Sequence, residues 1–479
     1  MREYLKFYID GQWVDPVDST ATVTTINPAN EEPSGKVALG SEADVDRAVK
    51  AARKAFASWS QTSREERLAL MERIAEEYQK RITDVGAAVM DEMGAPASLA
   101  HGFHVFLGTG HLNTAIEVLK NFKFEELRGQ TMIRKEPIGV CALITPWNWP
   151  INQIAVKVFP ALATGCTMIL KPSQEAHFSA QIFTEIMHAA GVPAGVFNLV
   201  QGKGSVIGAA LSTHPDVDMV SITGSEFAGV EVAKNAAPTV KRVCQELGGK
   251  SPNILLDDSD FAANVGRYTT NMMVNSGQTC SALSRMIVPK PRMNEAIEVA
   301  REAAESVTVG NPTGNFAMGP VVSKAQFESI QGYIQKGIDE GATLVAGGLG
   351  RPEGLDKGWY VKPTVFANVT NDMVIAREEI FGPVLTILGY DTVEQAVEIA
   401  NDTDFGLAGN VAGADIERCR TIARQIRAGW MGINDGFDFF GAFGGYKRSG
   451  NGREWGEFGF HDYVEIKSML GYAPAEAAE

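Results

Sequence analysis

The sequence predicts an α/β fold with two sheet-containing domains and a small additional β element. Short apolar segments alternate with helix-like segments between residues 139 and 247, and a second alternating series runs from residue 252 to 414. Apolar strands that alternate with helices are typical of a parallel sheet with helices on both faces. A chain of 479 residues is long enough for roughly three folding units, which fits two such sheets and a smaller unit.

The first sheet follows a helical segment, which we predict at residues 41–120. Ser41 stands in a capping position, and apolar residues recur after it at intervals of three and four, as on one face of a helix. The strands predicted next are short apolar runs, and they are GVCALIT (139–145), TMILK (167–171), VFNLV (196–200), MVSIT (219–223) and KRVCQEL (241–247).

A second series of apolar strands indicates a second α/β domain. Its members are PNILLD (252–257), RMIVP (285–289), ATLVAGG (342–348), GPVLTILGY (382–390) and NVAGA (410–414). Two segments fit neither series, GQTMIRKEPIG (129–139) and HDYVEIKSML (461–470), and both alternate polar and apolar residues. We expect these two to be half-exposed edge strands, which are candidates for contact with another subunit.

Charge and cysteine usage argue against several classes of partner. The formal net charge of −15 disfavours nucleic acid or an anionic membrane, because both attract a positive protein surface. The five cysteines are scattered without a CxxC pair, which predicts neither a disulfide framework nor a thiolate zinc site. The N-terminus has no apolar stretch of signal-peptide length, and prolines interrupt the apolar region 138–170. We therefore expect a cytoplasmic protein without a membrane span.

Three histidines are the strongest candidates for metal ligands, and we expect no metal site. His101, His104 and His111 are close in sequence, but no HExxH motif or carboxylate cluster accompanies them. Zinc sites usually need three or four ligands with supporting contacts. The GxSxG motif of a serine hydrolase is also missing from the sequence.

Three strand ends in the first series carry residues suited to a phosphate-containing ligand. GKGSVIG follows a strand and enters a helix, with a GxGxxxG spacing one residue longer than the usual Rossmann fingerprint. Gly204 and Gly208 would let the backbone approach the ligand, and a helix N-terminus attracts an anion. Lys171 in LKPSQ and Ser225 in ITGS follow two further strands. Because ligands of open α/β sheets bind at the carboxyl ends of strands, the three together favour a Rossmann-type nucleotide site over simple turns.

Three other positions combine a reactive side chain with turn residues. Asn148 lies between Pro146 and Pro150, which restrict the backbone and could direct its amide at a developing oxyanion. Glu246 ends an apolar strand before two glycines, where burial would raise its pKa towards that of a general base. Cys280 follows a glycine turn among small polar residues, unlike a typical buried cysteine. A turn asparagine, a solvated glutamate and an inert cysteine remain the alternatives.

Together these motifs resemble the aldehyde dehydrogenase family over nearly the whole chain. ELGGKSPN (246–253) is similar to the family's glutamate signature, and NSGQTC (275–280) is similar to its cysteine signature. The other landmarks occur in the family's order, and they are PWNWP, LKPS, ITGS, EEIFGPV (378–384), GINDGFDFFGAFGGYKRSG (432–450) and GREWGEFGF (452–460).

The resemblance implies a three-part architecture. Its parts are a cofactor-binding domain at residues 1–120 and 140–246, a catalytic domain at residues 247–450, and an oligomerisation element at residues 121–139 and 461–479. It also implies a homodimer or homotetramer that oxidises a small-molecule aldehyde with NAD or NADP.

The resemblance also assigns roles to single residues. Cys280 is implied as the nucleophile, Glu246 as the general base, and Asn148 as the oxyanion donor together with the backbone N–H of Cys280. The implied cofactor-binding residues are Thr145, Trp147, Lys171, Gln174, Gly204, Gly208, Ser225, Leu247, Glu379 and Phe381. In the implied reaction a thiohemiacetal becomes a thioester, and water activated by Glu246 hydrolyses the thioester to a carboxylic acid.

The sequence departs from the family pattern in ways that bear on specificity. Gln174 stands where NAD-preferring members have glutamate, so we expect use of both NAD and NADP. Phe437, Phe439 and Phe440 add apolar bulk to the substrate side, which suggests aromatic or medium-chain aldehydes. The alternative functions are a thiol-dependent hydrolase or esterase, and a non-enzymatic family member, which would be expected to lack Cys280 or Glu246.

Overall fold

The computed structural model describes residues 1–258 and 260–473, and its largest sheet has eight strands. In spatial order these are Gly450–Asn451, Arg242–Glu246, Met219–Thr223, Val140–Ile144, Thr167–Lys171, Phe197–Leu199, Phe7–Ile9 and Gln12–Val14. The strands from Arg242–Glu246 to Phe197–Leu199 are parallel, and the strands at both edges run antiparallel to their neighbours. All five strands predicted for the first series therefore lie in the parallel, central part of this sheet.

The chain changes direction between two neighbouring strands of this sheet. After Val140–Ile144, the strands Thr167–Lys171 and Phe197–Leu199 are added on one side, and Met219–Thr223 is then added on the other. The connections on the two sides leave in opposite directions and open a crevice at the carboxyl ends of Val140–Ile144 and Met219–Thr223. Ligands of open α/β sheets bind at such a crevice.

Helices cover both faces of this sheet. The longer ones are Glu42–Trp59, Arg64–Met93, Val105–Asn121, Pro150–Thr164, His177–Ala189 and Glu226–Ala236. The strand Thr167–Lys171 shows why both faces are covered: Met168 and Leu170 belong to one apolar core and Ile169 to another. Successive side chains of a strand point to opposite faces, so an all-apolar strand needs helices on each side.

A second sheet of seven strands is formed by the C-terminal half of the chain. Its spatial order is Thr343–Ala346, Thr364–Ala367, Val384–Tyr390, Arg285–Pro289, Pro252–Leu255, Ala408–Ala412 and Trp430–Ile433. Its longer helices are Phe261–Met273, Met293–Glu305, Lys324–Asp339, Val393–Asn401 and Ile416–Ala423. Thr343–Ala346 runs antiparallel to Thr364–Ala367, so this sheet is not wholly parallel. The two large sheets correspond to the two predicted α/β domains, whose roles and bounds stay a prediction.

The two segments that fitted neither series pair with each other. Val464–Met469 runs antiparallel to Thr131–Pro137, and Glu125–Arg128 completes a three-stranded sheet on the other side. Val464–Met469 is thus an edge strand, and Ile466 on it is 69% exposed. Residues 474–479 of the predicted oligomerisation element lie outside the described residues.

The remaining elements are short. Arg2–Tyr4, Glu32–Ala38 and Thr22–Asn27 form a small sheet near the N-terminus, and Phe405–Gly406 pairs with Tyr446–Lys447. The short helices and helical turns are Ala97–Leu99, Ala100–His104, Gly204–Gly208, Ala209–Thr213, Ala237–Thr239, Val274–Gly277, Lys290–Arg292, Val374–Arg377 and Phe458–His461. Within the described residues, none of the helices has the length and apolar character needed to cross a bilayer.

Candidate active site

A cavity of about 380 Å³ opens at the crevice of the first sheet. Its lining residues come from strand ends of the first sheet and from loops of the C-terminal half, and they are Pro146, Trp147, Asn148, Ser173, Thr223, Gly224, Ser225, Leu247, Gly248, Cys280, Gln326, Glu379 and Phe381. The cavity therefore lies where the two halves of the chain meet, at the carboxyl ends of parallel strands.

The loop before Cys280 has an unusual backbone conformation. Asn275, Ser276 and Gly277 have φ angles of 56°, 55° and 70°, in the left-handed region that residues with a Cβ rarely adopt. Glycine is required at the third position, because a Cβ on Gly277 would lie 2.1 Å from the carbonyl oxygen of Gly382. Left-handed residues of this kind cluster at functional sites, and this run ends just before Cys280.

Cys280 is half-buried and faces the cavity. Burial raises the pKa of its thiol, and the carboxyl groups of Glu379 and Glu246 raise the pKa further. The resting thiol is therefore protonated at neutral pH, and a base or a nearby positive charge must help to form the thiolate.

Asn148 is buried beside the Cys280 loop. Its side-chain amide donates to the carbonyl oxygen of Gln278 at 3.2 Å, and the indole N–H of Trp149 donates to Oγ1 of Thr279 at 3.0 Å. These two bonds fix Asn148 next to Cys280 on the wall of the same cavity. An amide has two N–H donors, so one remains for another acceptor after the bond to Gln278.

Glu246 is buried at the end of the strand Arg242–Glu246. Neither of its carboxylate oxygens has a hydrogen-bond partner within the described ranges 1–258 and 260–473. Burial raises the pKa of this carboxyl and so does the neighbouring Glu454, whereas the ammonium group of Lys157 opposes the shift. A buried carboxyl group is normally hydrogen-bonded, so Glu246 departs from the usual pattern, as groups at functional sites often do.

The predicted cofactor-binding residues fall into two groups at this edge of the sheet. Trp147, Ser225, Leu247, Glu379 and Phe381 line the cavity. The others lie outside its lining, at or after the carboxyl ends of three neighbouring strands, and they are Thr145, Lys171, Gln174, Gly204 and Gly208. Ser173, next to Gln174, lines the cavity and was not predicted as a binding residue.

Glu379 and Phe381 form another part of the cavity wall. Oε1 of Glu379 accepts from the backbone N–H of Gly249 at 3.0 Å, and burial raises the pKa of this carboxyl to about 7. Phe381 has a φ of 55°, which is strained for a bulky residue. Gln326 supports it by donating to the carbonyl oxygen of Phe381 at 2.9 Å. Gln326 was not predicted, since no local motif marks it and only the fold brings it to the cavity.

Cys280 also packs against a cluster of aromatic side chains. Phe443 and Trp455 stack with ring centroids 4.9 Å apart, and Cys280 packs against the core they form. Further ring contacts extend the cluster outward through Phe437, Phe439, Phe103 and Phe106. Phe440, which the sequence analysis also placed here, is 54% exposed. The contributions of Phe103, Phe106 and Trp455 were not predicted from the sequence.

His104 and His111, two of the three histidines considered as metal ligands, have different hydrogen-bond partners. The imidazole Nε2 of His104 lies 3.3 Å from Oδ1 of Asn275, and that of His111 lies 2.8 Å from Oδ1 of Asn152. Burial lowers the pKa of His104 and of His111 to about 3, so both rings are neutral. In the part of the chain that the structure describes, no group of three or more His, Cys, Asp or Glu side chains could hold a metal ion.

The fold and the cavity are those expected of an enzyme that binds a nucleotide at the carboxyl ends of parallel strands, and comparisons with known proteins give its class. The sequence profile of the aldehyde dehydrogenase family matches residues 13–469. A 3-succinoylsemialdehyde-pyridine dehydrogenase of a Pseudomonas species is 50% identical over 475 residues, 98% of this chain and 99% of the relative. The chain belongs to the aldehyde dehydrogenase family.

Solved structures of family members match the whole fold. Aldehyde dehydrogenase C of Pseudomonas syringae, crystallised as a variant with NAD+ and octanal, has a TM-score of 0.97 and 51% identity, with 98% of each chain covered. The aldehyde dehydrogenase of Bartonella henselae has a TM-score of 0.96 and 46% identity, covering 99% of this chain and 100% of the other. These matches confirm the predicted α/β fold class and an aldehyde oxidoreductase that uses NAD or NADP.

Proposed function

We propose that this enzyme forms a covalent thioester on Cys280 and hydrolyses it with water activated by Glu246. The observation that carries the proposal is the shared cavity: Cys280 and Asn148 line it, and Glu246 immediately precedes Leu247, which also lines it. This neighbourhood supports the proposal, because the three side chains would act there as nucleophile, oxyanion donor and base.

The residues around the cavity fit a nicotinamide dinucleotide. Lys171 is buried, and burial lowers the pKa of its amine to about 8; this amine would donate to a ribose hydroxyl or phosphate. Ser225 caps the helix Glu226–Ala236, whose N-terminus suits a pyrophosphate. Glu379 and Phe381 would hold the nicotinamide end. When bound, the nicotinamide ring accepts the hydride that leaves the substrate carbon.

Each group of the chain has one task in the proposed reaction. The Cys280 thiolate attacks the aldehyde carbon and forms a C–S bond, while Asn148 and the Cys280 N–H donate to the developing oxyanion. Hydride loss leaves a thioester on Cys280. Glu246 then takes a proton from water, the water oxygen bonds to the thioester carbon, and the C–S bond breaks to release the acid and the thiolate.

The test is to trap the thioester in Glu246→Gln. With aldehyde and NAD, we expect one burst of reduced cofactor per active site, an acyl group on the Cys280 peptide by mass spectrometry, and a steady state slower by about 10²–10⁴-fold. Glu457→Gln, an exposed carboxylate on a nearby segment, is the matched control and should turn over normally. Full turnover without a burst would overturn the role of Glu246. A thiol esterase would instead release acid from an ester without reducing any cofactor.

We further propose that the substrates are aromatic or medium-chain aldehydes. Support comes from the aromatic cluster next to Cys280 and from the octanal bound to the Pseudomonas syringae enzyme. In an apolar pocket each added methylene improves kcat/KM by about 10-fold or more. Octanal and benzaldehyde should therefore exceed glycolaldehyde and betaine aldehyde in kcat/KM, and the reverse order would contradict the proposal.

Two further features of the chain support a proposal about its assembly and its location in the cell. We propose a homodimer or homotetramer that uses the open edge of Val464–Met469, because such edges pair with other chains. All five cysteines are free thiols, which favours a reducing compartment and supports a cytoplasmic location.

A further inference from the structure

Side chains hold the left-handed run before Cys280 in place, and Asn275 makes the most contacts. Its Nδ2 donates to the carbonyl oxygen of Asn148 at 2.8 Å and to that of Gln278 at 3.3 Å. Gln278 completes the contact by donating from Nε2 to the carbonyl oxygen of Asn275 at 3.1 Å. The Asn275 amide therefore joins the Asn148 segment to the loop that ends at Cys280.

The carbonyl oxygen of Gln278 is shared between two amides. It accepts from Nδ2 of Asn275 at 3.3 Å and from Nδ2 of Asn148 at 3.2 Å. Because a carbonyl oxygen has two lone pairs, it can serve both donors. The direction of the Asn148 amide, and hence of its second N–H, depends on where Asn275 holds the Gln278 carbonyl.

His104 holds the oxygen of the Asn275 amide in place. Nδ2 of Asn275 donates to the carbonyl oxygens of Asn148 and Gln278, so Oδ1 of Asn275 is the atom that faces the ring. The imidazole Nε2 lies 3.3 Å from this Oδ1, and the neutral tautomer with its proton on Nε2 supplies the matching donor. Without that donor Oδ1 would be a buried acceptor with one contact fewer, and the amide would be held less firmly.

The position of His104 is itself fixed. The ring is buried and stacks on the indole of Trp149 with centroids 4.3 Å apart and planes at 28°. His104 ends the π-helical turn Ala100–His104, and such turns are rare and frequent at functional sites. Trp149 in turn donates to Thr279, so the stacked pair contacts the Cys280 loop at two points.

We propose that His104 is a positioning residue for the oxyanion hole: by donating from Nε2 to Asn275 it orients the amide that sets the Gln278 carbonyl and the side chain of Asn148. The proposal rests on the function assigned above to Asn148 and Cys280. His104 is not among the residues that line the cavity, and its hydrogen bond to the Cys280 loop is the one to Asn275.

The test compares two substitutions in the full-length enzyme. His104→Phe keeps a ring against Trp149 but removes the donor, whereas His104→Gln keeps an N–H near the position of Nε2. Removing an oxyanion donor costs about 10²–10³-fold in kcat, so misorienting one should lower kcat by about 10-fold in His104→Phe. We expect His104→Gln to restore kcat to within about 3-fold of the wild type, with KM for NAD unchanged in both. Should His104→Phe fail to fold, His104→Met replaces it.

Two further measurements separate positioning from general damage to the loop. Alkylation of Cys280 by iodoacetamide needs no oxyanion hole, so its rate should be unchanged in His104→Phe. In an Asn148→Ala background His104→Phe should cause no further loss of kcat, because the group through which it acts is gone. Equal losses in both backgrounds, a normal kcat in His104→Phe, or no recovery in His104→Gln would each overturn the proposal. Normal kcat in Asn148→Ala alone would instead overturn the oxyanion role of Asn148.

Discussion

The ammonium group of Lys157 lies 2.6 Å from Oε1 of Glu454, and the lysine side chain is completely buried. This ion pair acts on Glu246: the Glu454 carboxylate raises the pKa of Glu246, and Lys157 lowers it. Because burial and Glu454 together outweigh Lys157, Glu246 binds its proton more tightly than an ordinary glutamate does.

The first prediction tests this coupling. In Glu454→Gln a negative neighbour is removed and Lys157 remains, so the pKa of Glu246 should fall. Glu246 acts as a base only when deprotonated, and the acidic limb of the kcat–pH profile should therefore move to lower pH. Glu457→Gln should leave this limb in place. A limb that stays at the wild-type position in Glu454→Gln would show that Glu454 does not act on the catalytic base.

The second prediction concerns the nucleophile. Cys280→Ala should lower aldehyde oxidation by more than about 10⁴-fold, because the proposed covalent intermediate forms on its sulfur. NAD binding by fluorescence and the thermal unfolding midpoint should stay near wild type, since Cys280 is half-buried and packs only against the edge of a core. Cys419→Ala removes another thiol far along the chain and should keep its activity. Comparable turnover in the two variants would refute the assignment of Cys280.

Local patterns predicted most strands of the two large sheets, and they also marked the residues proposed as reactive. Met219–Thr223 and Arg285–Pro289 match their predicted bounds because each is a mostly apolar run buried on both faces. Trp430–Ile433 was missed, since its four residues are only half-buried and include a glycine. Its apolar signal is therefore weak.

The parts of the site that were not predicted from the sequence are contacts between distant segments. Gln326 reaches Phe381 across 55 positions, and His104 reaches Asn275 across 171. Neither residue lies in a motif, and sequence periodicity describes only neighbours along one element. His104 was considered only as a metal ligand, and its donor role became visible once the fold placed Asn275 beside it.

The third prediction concerns assembly. Deleting residues from His461 onward would also remove Tyr463, which is buried in the main core, so a truncation would mix unfolding with loss of contacts. Ile466→Asp tests the contact more specifically than a truncation does, because Ile466 is 69% exposed on the edge strand. We expect a lower mass by light scattering with an unchanged fold. Val240→Asp, at a residue that is 90% exposed elsewhere, should keep the wild-type mass. An unaltered mass in Ile466→Asp would argue against this edge as the contact.

The last prediction concerns the choice of cofactor and rests on Gln174. This residue is half-buried just after the strand Thr167–Lys171, next to the cavity-lining Ser173. A glutamate there would accept hydrogen bonds from both ribose hydroxyls of NAD and repel the 2′-phosphate of NADP. The neutral glutamine lacks this repulsion and can donate to phosphate, and selectivity often depends on a repulsive contact. We therefore expect wild-type kcat/KM to be similar for NAD and NADP, and Gln174→Glu to lower the NADP value by about 10- to 100-fold with little change for NAD. Glu175→Gln, one position further, should not alter the ratio. A wild type that already rejects NADP, or a Gln174→Glu variant with an unchanged ratio, would refute the role of Gln174.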